Sequence, residues 1–365
     1  MKPASSTRRD LEDWELVCRM LPAGWREAAV RCGALRRARR IGDAETLLRV
    51  LWLHLVGGCS LQETAVRAGQ AGWARLSGVA VFKRLRGSGE WLRWMAVELR
   101  REMGVEGPGS RGRRLRAVDA TVVSEPGSRG TDWRVHWGLD LGTLECDYFE
   151  LTGVEEGETL RRFPVERGDV LVADRGYAGA VGVGHVLRSG GDVVVRWPTG
   201  RPLRGSEGGR LSLVEAARGL QVGEIRECEA GVVETGQVHW GRLVMVRRSE
   251  QAAAAARRRC RKKLRRRGLS PIVYEAARYC FVWTSLSREQ ASAEQVLEWY
   301  RGRWQIELAF KRLKSLLGLG HLPKTDPGSA KAWLAGKLVA GLLVQRMLQQ
   351  AGSFSPWGYA LGEPP

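Results

Sequence analysis

The chain has 365 residues, 44% of them hydrophobic, and a formal net charge of +19 at pH 7. That length supports two or three domains with a sizeable core, and the charge points to a polyanionic partner, nucleic acid before others. The start lacks the apolar stretch of a secretory leader, no apolar run reaches membrane-spanning length, and the seven scattered cysteines form no C-x-x-C pair, which sets aside secreted, membrane and disulfide- or zinc-framework classes.

Residues 10 to about 100 carry helical periodicity. Leu47, Leu48, Leu51 and Leu55 recur at helical spacing, and Gly57-Gly58 ends that helix. Ser60 with Glu63 has the capping-box pattern of a second helix, and Ser77-Gly78 turns the chain into a third over 79–85 that carries Lys83, Arg84 and Arg86. Helix, tight turn and basic helix fit a helix-turn-helix DNA reader, and equally a plain helical bundle.

Residues 103–113 are rich in Gly and Ser and read as a linker. Beyond it the period changes to that of strands, at 113–123, 132–141 and 143–153, with a tight turn at Gly142. A short helix near 157–163, an apolar strand over 169–179, a helix near 179–189 and a strand over 192–198 follow. Strands that meander and then alternate with helices predict an α/β protein with a mixed sheet flanked by helices. Residues 199 to about 250 are Gly-rich, with strand-like runs at 237–240 and 243–246, and read as a small β insertion. The run RRRCRKKLRRR at 257–267 has nine basic residues in eleven; it reads either as solvated charge or as a phosphate contact. A strand at 279–286, a helix capped by Ser292 with Gln295 and a last helix over about 328–350 complete the chain. The expected division is an N-terminal helical, DNA-binding domain at 1–102, catalytic core at 103–198 and 276–350, a β-rich insertion with the basic segment at 199–275, and a tail at 351–365.

The segment WYRGRWQIELAFKRLK, 299–314, packs five basic residues around one carboxylate, Glu307. On a helix of 3.6 residues per turn, Tyr300, Arg303, Glu307 and Lys314 fall within about 60° of arc, beside an apolar face of Ile306, Phe310, Leu313 and Leu317. Taken alone, this is an ordinary amphipathic helix with an Arg303–Glu307 pair worth a few tenths of a kcal/mol. Two further carboxylates alter that balance. Asp119 interrupts the apolar strand 117–123, and Asp174 ends the apolar run 170–173. An acid inside a buried strand is costly without a partner, and ligand sites in α/β sheets gather at strand C-termini. Carboxylates ~5 Å apart repel by about 3 kcal/mol at an effective dielectric near 20, so three together would recruit a cation. Mg²⁺, with Mn²⁺ as a substitute, suits such an oxygen set and phosphodiester chemistry. Arg303 and Lys314 would then contact DNA phosphate and not neutralise Glu307.

These residues are also recognisable as a set. Asp119, Asp174 and Glu307, the spacing Tyr300-x2-Arg303-x3-Glu307-x6-Lys314, and the stretches VDATVV, ADRGYAG and TSL resemble the DDE transposases of bacterial insertion sequences, in particular the insertion-sequence-4-like group. The resemblance covers roughly 45–350. It implies a ribonuclease-H-like core interrupted by the β insertion, and an enzyme that cuts element ends, often through a hairpin, and joins them to target DNA. It implies that Asp119, Asp174 and Glu307 bind the metal, and that Tyr300, Arg303, Lys311 and Lys314 hold DNA backbone. A tryptophan of the insertion, Trp197 or Trp240, would stack on DNA, against the plainer reading of each as a packing residue. The implied partner is double-stranded DNA, bound by a homodimer in the cytoplasm at the nucleoid. The alternatives are a ribonuclease-H-like nuclease without strand joining, or an inactive, truncated copy that only binds DNA, since family members commonly continue past the last helix.

Overall fold

The computed structural model describes residues 14–36, 41–103, 112–128, 130, 132–153, 155–263, 271–320, 322–323 and 325–352. Residues 104–111 of the linker expected at 103–113, the second part of the basic run and the tail beyond 352 lie outside the described residues. The chain divides into two compact units, one of Met1–Val105, Val122–Arg134 and Phe310–Pro365, the other of Glu106–Thr121 and Val135–Ala309.

The first unit is helical. After the helical residues 14–20 it has α1 (Trp25–Arg31), α2 (Ala44–Leu55), α3 (Leu61–Gln70), α4 (Gly78–Gly87) and α5 (Gly89–Met103). Short polar side chains start three of them: Asp43 accepts from the Thr46 amide, Ser60 from that of Glu63 and Ser77 from that of Ala80. Only half of the capping box forms at Ser60, because the Glu63 carboxylate pairs with Arg67 at 2.8 Å. Leu47, Leu48, Leu51 and Leu55 are fully buried, as their spacing predicts. Trp25 and Trp91 stack at 6.2 Å, and the Trp91 indole donates to the Trp25 carbonyl at 2.8 Å.

The second unit is built on a nine-stranded sheet: β1 (Arg114–Val123), β2 (Trp133–Asp140), β3 (Cys146–Gly153), β4 (Asp169–Ala173), β5 (Asp192–Arg196), β6 (Arg204–Gly205), β7 (Ile225–Glu234), β8 (Gln237–Arg247) and β9 (Tyr279–Thr284). Their order across the sheet is β3-β2-β1-β4-β5-β9-β8-β7-β6. β1, β4 and β5 are parallel to one another, and β5, β9, β8 and β7 pair antiparallel. β4 and β5 read as continuous apolar runs because both of their faces are covered. The two short runs expected at 237–240 and 243–246 are one strand, β8. With β7 it forms a hairpin over Thr235-Gly236, whose φ angles of 44° and 89° give the twist that a two-residue connection needs. This hairpin extends the main sheet through β9, so the strands of the insertion share one hydrogen-bonded surface with the core.

Helices flank the sheet: α6 (Ala180–Arg188), α7 (Leu213–Ala216), α8 (Glu250–Lys263), α9 (Pro271–Ala276) and α10 (Ala293–Gly302). The helix expected near 157–163 is a single 3₁₀ turn, Leu160–Arg162, and the strand expected over 169–179 ends at Ala173. Helix α11 (Trp304–Leu317) follows a break at Arg303, so the segment 299–314 is two helices and not one. The last helix, α12 (Pro327–Gly352), returns to the first unit and packs on α5 and α4. Gly336 permits its close approach to α2, since a Cβ there would stand 2.6 Å from Leu55 Cδ1. Among the described residues no helix is long and apolar enough to cross a membrane, and the seven cysteines are free thiols.

Candidate active site

The site follows from strand register. β1 and β4 run parallel with Arg114 opposite Asp169 and Val118 opposite Ala173. One step further, Asp119 and Asp174 are the next residues on each strand path, at neighbouring positions of strands ~4.8 Å apart. β5 continues the row, because Val195 lies opposite Ala173 and Arg196 follows it. Alternation puts Asp119, Asp174 and Arg196 on the face that carries Leu115, Val170, Val172 and Val194. That face is covered by α10 through Val296, Leu297 and Tyr300. A complete capping box of Ser292 and Gln295 fixes where α10 begins.

The end of α10 therefore lies over the row. The Tyr300 hydroxyl donates to Asp174 Oδ1 at 3.0 Å, and Arg196 Nη1 lies 3.6 Å from the same oxygen. Arg303, in the break between α10 and α11, donates from Nη1 to Asp119 Oδ2 at 3.0 Å and from Nη2 to Glu307 Oε1 at 2.6 Å. Its side chain is 11% exposed against 55% for Glu307, and its buried Nε has no hydrogen-bond partner. In this structure Arg303 is paired with Glu307, where the sequence predicts that it faces DNA phosphate. Burial of the Asp119 carboxylate calls for a counter-charge, and a guanidinium on the turn reaches both acids.

The two strand carboxylates titrate apart. Burial raises Asp119 to about 6, with Asp174 and Glu158 adding repulsion, against the opposing Ala120 amide and Arg303. Asp174 goes the other way: burial raises it, but the Arg175 amide, Arg196, Arg303 and the Tyr300 hydroxyl together hold it below the usual carboxylate range. Burial and the neighbouring Asp174 push the Tyr300 phenol well above its ordinary value. Such a split between adjacent acids is a mark of functional sites. The donor chemistry fits a hard divalent cation, since Asp119 and Asp174 are oxygen ligands whose mutual repulsion a cation would relieve. Among the described residues no group of three acids, histidines or cysteines is arranged around one point, and Glu307 is paired with Arg303.

The remaining expected residues lie elsewhere. Trp197 is buried at 4% exposure, with its indole donating to the Arg201 carbonyl and its ring 6.1 Å from that of Trp283. Trp240 is 44% exposed on β8, its ring lying over Gly231, on the sheet face of Val244. Lys311 is exposed and Lys314 half-buried, further along α11 in the stretch that belongs to the first unit. Sequence reasoning missed Arg196 and Glu158. Arg196 had a readable signal: it ends an apolar strand, as Asp174 does.

A mixed sheet flanked by helices, with carboxylates at neighbouring positions of two parallel strands, defines an α/β protein consistent with a ribonuclease-H-like core. Residues 150–343 match the family described as "Transposase DDE domain". The chain is 37% identical over 340 residues to "Putative transposase InsL for insertion sequence element IS186A" of Escherichia coli (strain K12), covering 90% of this chain and 91% of that protein. It is 37% identical over 341 residues to "Transposase for insertion sequence element IS421" of Escherichia coli, again with 90% and 91% covered. The protein belongs to the DDE-domain transposases of bacterial insertion sequences.

Proposed function

We propose that the protein is a DNA transposase that cleaves the ends of an insertion sequence and joins them to target DNA by metal-dependent phosphoryl transfer. The observation that carries this reading is the pair Asp119–Asp174 on parallel strands, tied through Arg303 to Glu307. Asp119, Asp174 and Glu307 would hold Mg²⁺, or Mn²⁺ in its place. The bound ion would activate the attacking hydroxyl and stabilise the leaving oxygen. The chain's own groups position and compensate charge. Tyr300 orients Asp174, and Arg196 keeps it ionised. Arg303, exchanging Glu307 for a phosphate oxygen, would stabilise the charge that develops on the reacting phosphate. Lys311 and Lys314 would hold the backbone, and exposed Trp240 is the better of the two tryptophans to stack on a base.

In this reading residues 1–102 bind the element ends, with α3 and α4 as the helix-turn-helix and Val79, Lys83 and Arg86 on the exposed side of α4. The catalytic core is 103–198 with 276–350, and 199–275 is the insertion. The protein acts as a homodimer on double-stranded DNA, in the cytoplasm at the nucleoid.

The test is a plasmid carrying the element's own ends, incubated with Mg²⁺ and either wild type or Glu307→Gln. Excision or joining by wild type, reduced at least ~10³-fold in the variant, is the expected result. If both proteins bind the ends and neither cuts, the chain is a DNA-binding protein and not an enzyme. Cutting without joined product would make it a nuclease.

A further inference from the structure

The basic run after the hairpin has no place in the mechanism above. Its first part forms the end of α8. This helix has two unlike sides. Ala253 is fully buried, and Ala256 and Cys260, three and seven residues on, line a cleft of about 90 Å³ against the sheet. Arg257 is spent on anchoring, its guanidinium 4.3 Å above the Tyr274 ring of α9. Arg258, Arg259 and Arg261 are exposed, and none has an ion pair among the described residues. The run continues through 264–270 with no acidic residue that could answer them. One cation near a helix C-terminus is explained by the helix dipole; three unpaired ones, placed side by side, repel each other and are not.

The cleft under α8 links these arginines to the site. Its lining includes Arg175, Arg196 and Arg248 and no carboxylate. Arg175 directly follows Asp174, and Arg196 lies 3.6 Å from its carboxylate. The cleft lining thus places arginines and no acid between Asp174 and the inner side of α8. Five consecutive alanines, 252–256, keep the helix slim and stiff, so the arginines are carried on a rigid support.

We propose that the exposed side of α8 is a backbone-binding ridge for the duplex that flanks the reacting phosphodiester, and that it reads phosphate charge and not sequence. This rests on the transposase reading. It adds a surface of Arg258, Arg259 and Arg261 in the insertion, outside the carboxylate site and the N-terminal helices.

The experiment measures binding of the full chain to a duplex of arbitrary sequence, about two helical turns long, across a salt series. Wild type is compared with Arg258→Gln/Arg259→Gln/Arg261→Gln and with the corresponding triple lysine variant. Three lost phosphate contacts make the slope of log affinity against log salt shallower by about 2.7, so wild type loses roughly 40-fold more affinity than the glutamine variant between about 50 and 200 mM salt. The lysine variant restores the wild-type slope. Equal slopes in all three proteins, or a lysine variant that behaves like glutamine, overturn the ridge. So does retained DNA binding by a glutamine variant that has lost wild-type binding to poly-glutamate, since the surface would then serve an acidic protein. Wild type with no salt-dependent affinity for any duplex would sink the transposase reading itself, a result distinct from failure of the ridge alone. The three side chains are exposed, so an unchanged thermal melt separates these outcomes from unfolding.

Discussion

At one end of the parallel pair β1–β4 an arginine faces an aspartate; five residues on, an aspartate follows beside an aspartate. At the first end Arg114 grips Asp169, and Arg116, 2% exposed, bonds Asp147, Asp169 and the Pro164 carbonyl. Burial there raises the Asp169 carboxyl, but the Arg114 bond, the Glu166 amide and Arg116 outweigh it, and the group ends below its ordinary range. At the second end one arginine, Arg303, is shared between Asp119 and Glu307, and Asp119 stands at about 6. The same strands thus bury charge in two ways. Where the fold supplies every counter-charge, the group holds the structure together. Where the fold leaves carboxylates short of counter-charge, the deficit is available to a ligand.

Three variants would sharpen or break this contrast. Arg116→Met should cost about 3–5 kcal/mol, because buried Asp147 loses its arginine and Asp169 keeps only Arg114. Urea unfolding reads it directly, and a loss under about 1 kcal/mol would mean that this end is no anchor.

Asp119→Asn should do the opposite. Its folded pKa lies above the usual value of 3.8, so the fold binds the proton more tightly than the unfolded chain does. Stability from this group is present at low pH and lost as pH rises from about 4 through 6. In metal-free buffer at pH 7 the asparagine variant should therefore be about 3 kcal/mol more stable than wild type, with the difference vanishing near pH 4, while strand transfer is lost. Parallel pH–stability curves for the two proteins would refute the deficit.

Tyr300→Phe removes one hydrogen bond to Asp174, worth about 1 kcal/mol. Cleavage should slow by less than about tenfold, since the phenol orients a carboxylate. Complete loss of activity would instead indicate a covalent role for the tyrosine.

Much of this was legible before any coordinates. Asp119 and Asp174 stood out because each breaks an apolar strand, and the caps at Ser60, Ser77 and Ser292 lie where local polar chemistry puts them. The row itself was not legible. It depends on the pairing of strands some fifty residues apart, and Arg196 acquires meaning only once that register is known. The union of the insertion strands with the main sheet was hidden for the same reason. The break at Arg303 had a local signal in Gly302, a poor helix former that ends α10, while the reach of Arg303 to Asp119 showed only in the fold. Trp197 shows the limit of composition: an indole beside the site can belong wholly to the core.

The ion network at the head of β1 and β4 has a further consequence, one that concerns insertions and deletions. Arg114 to Asp119 and Asp169 to Asp174 are equal steps along two strands, so clamping the first pair sets the second. Loss of a single residue from either strand between those points would shift one carboxylate by ~3.3 Å and turn it to the opposite face of the sheet. Substitution at Leu115 or Val172 changes packing; a one-codon deletion there dismantles the centre. The anchor thus acts as a gauge: in descendants of this gene the five-residue interval on each strand should tolerate exchange of its letters far better than any change in their number.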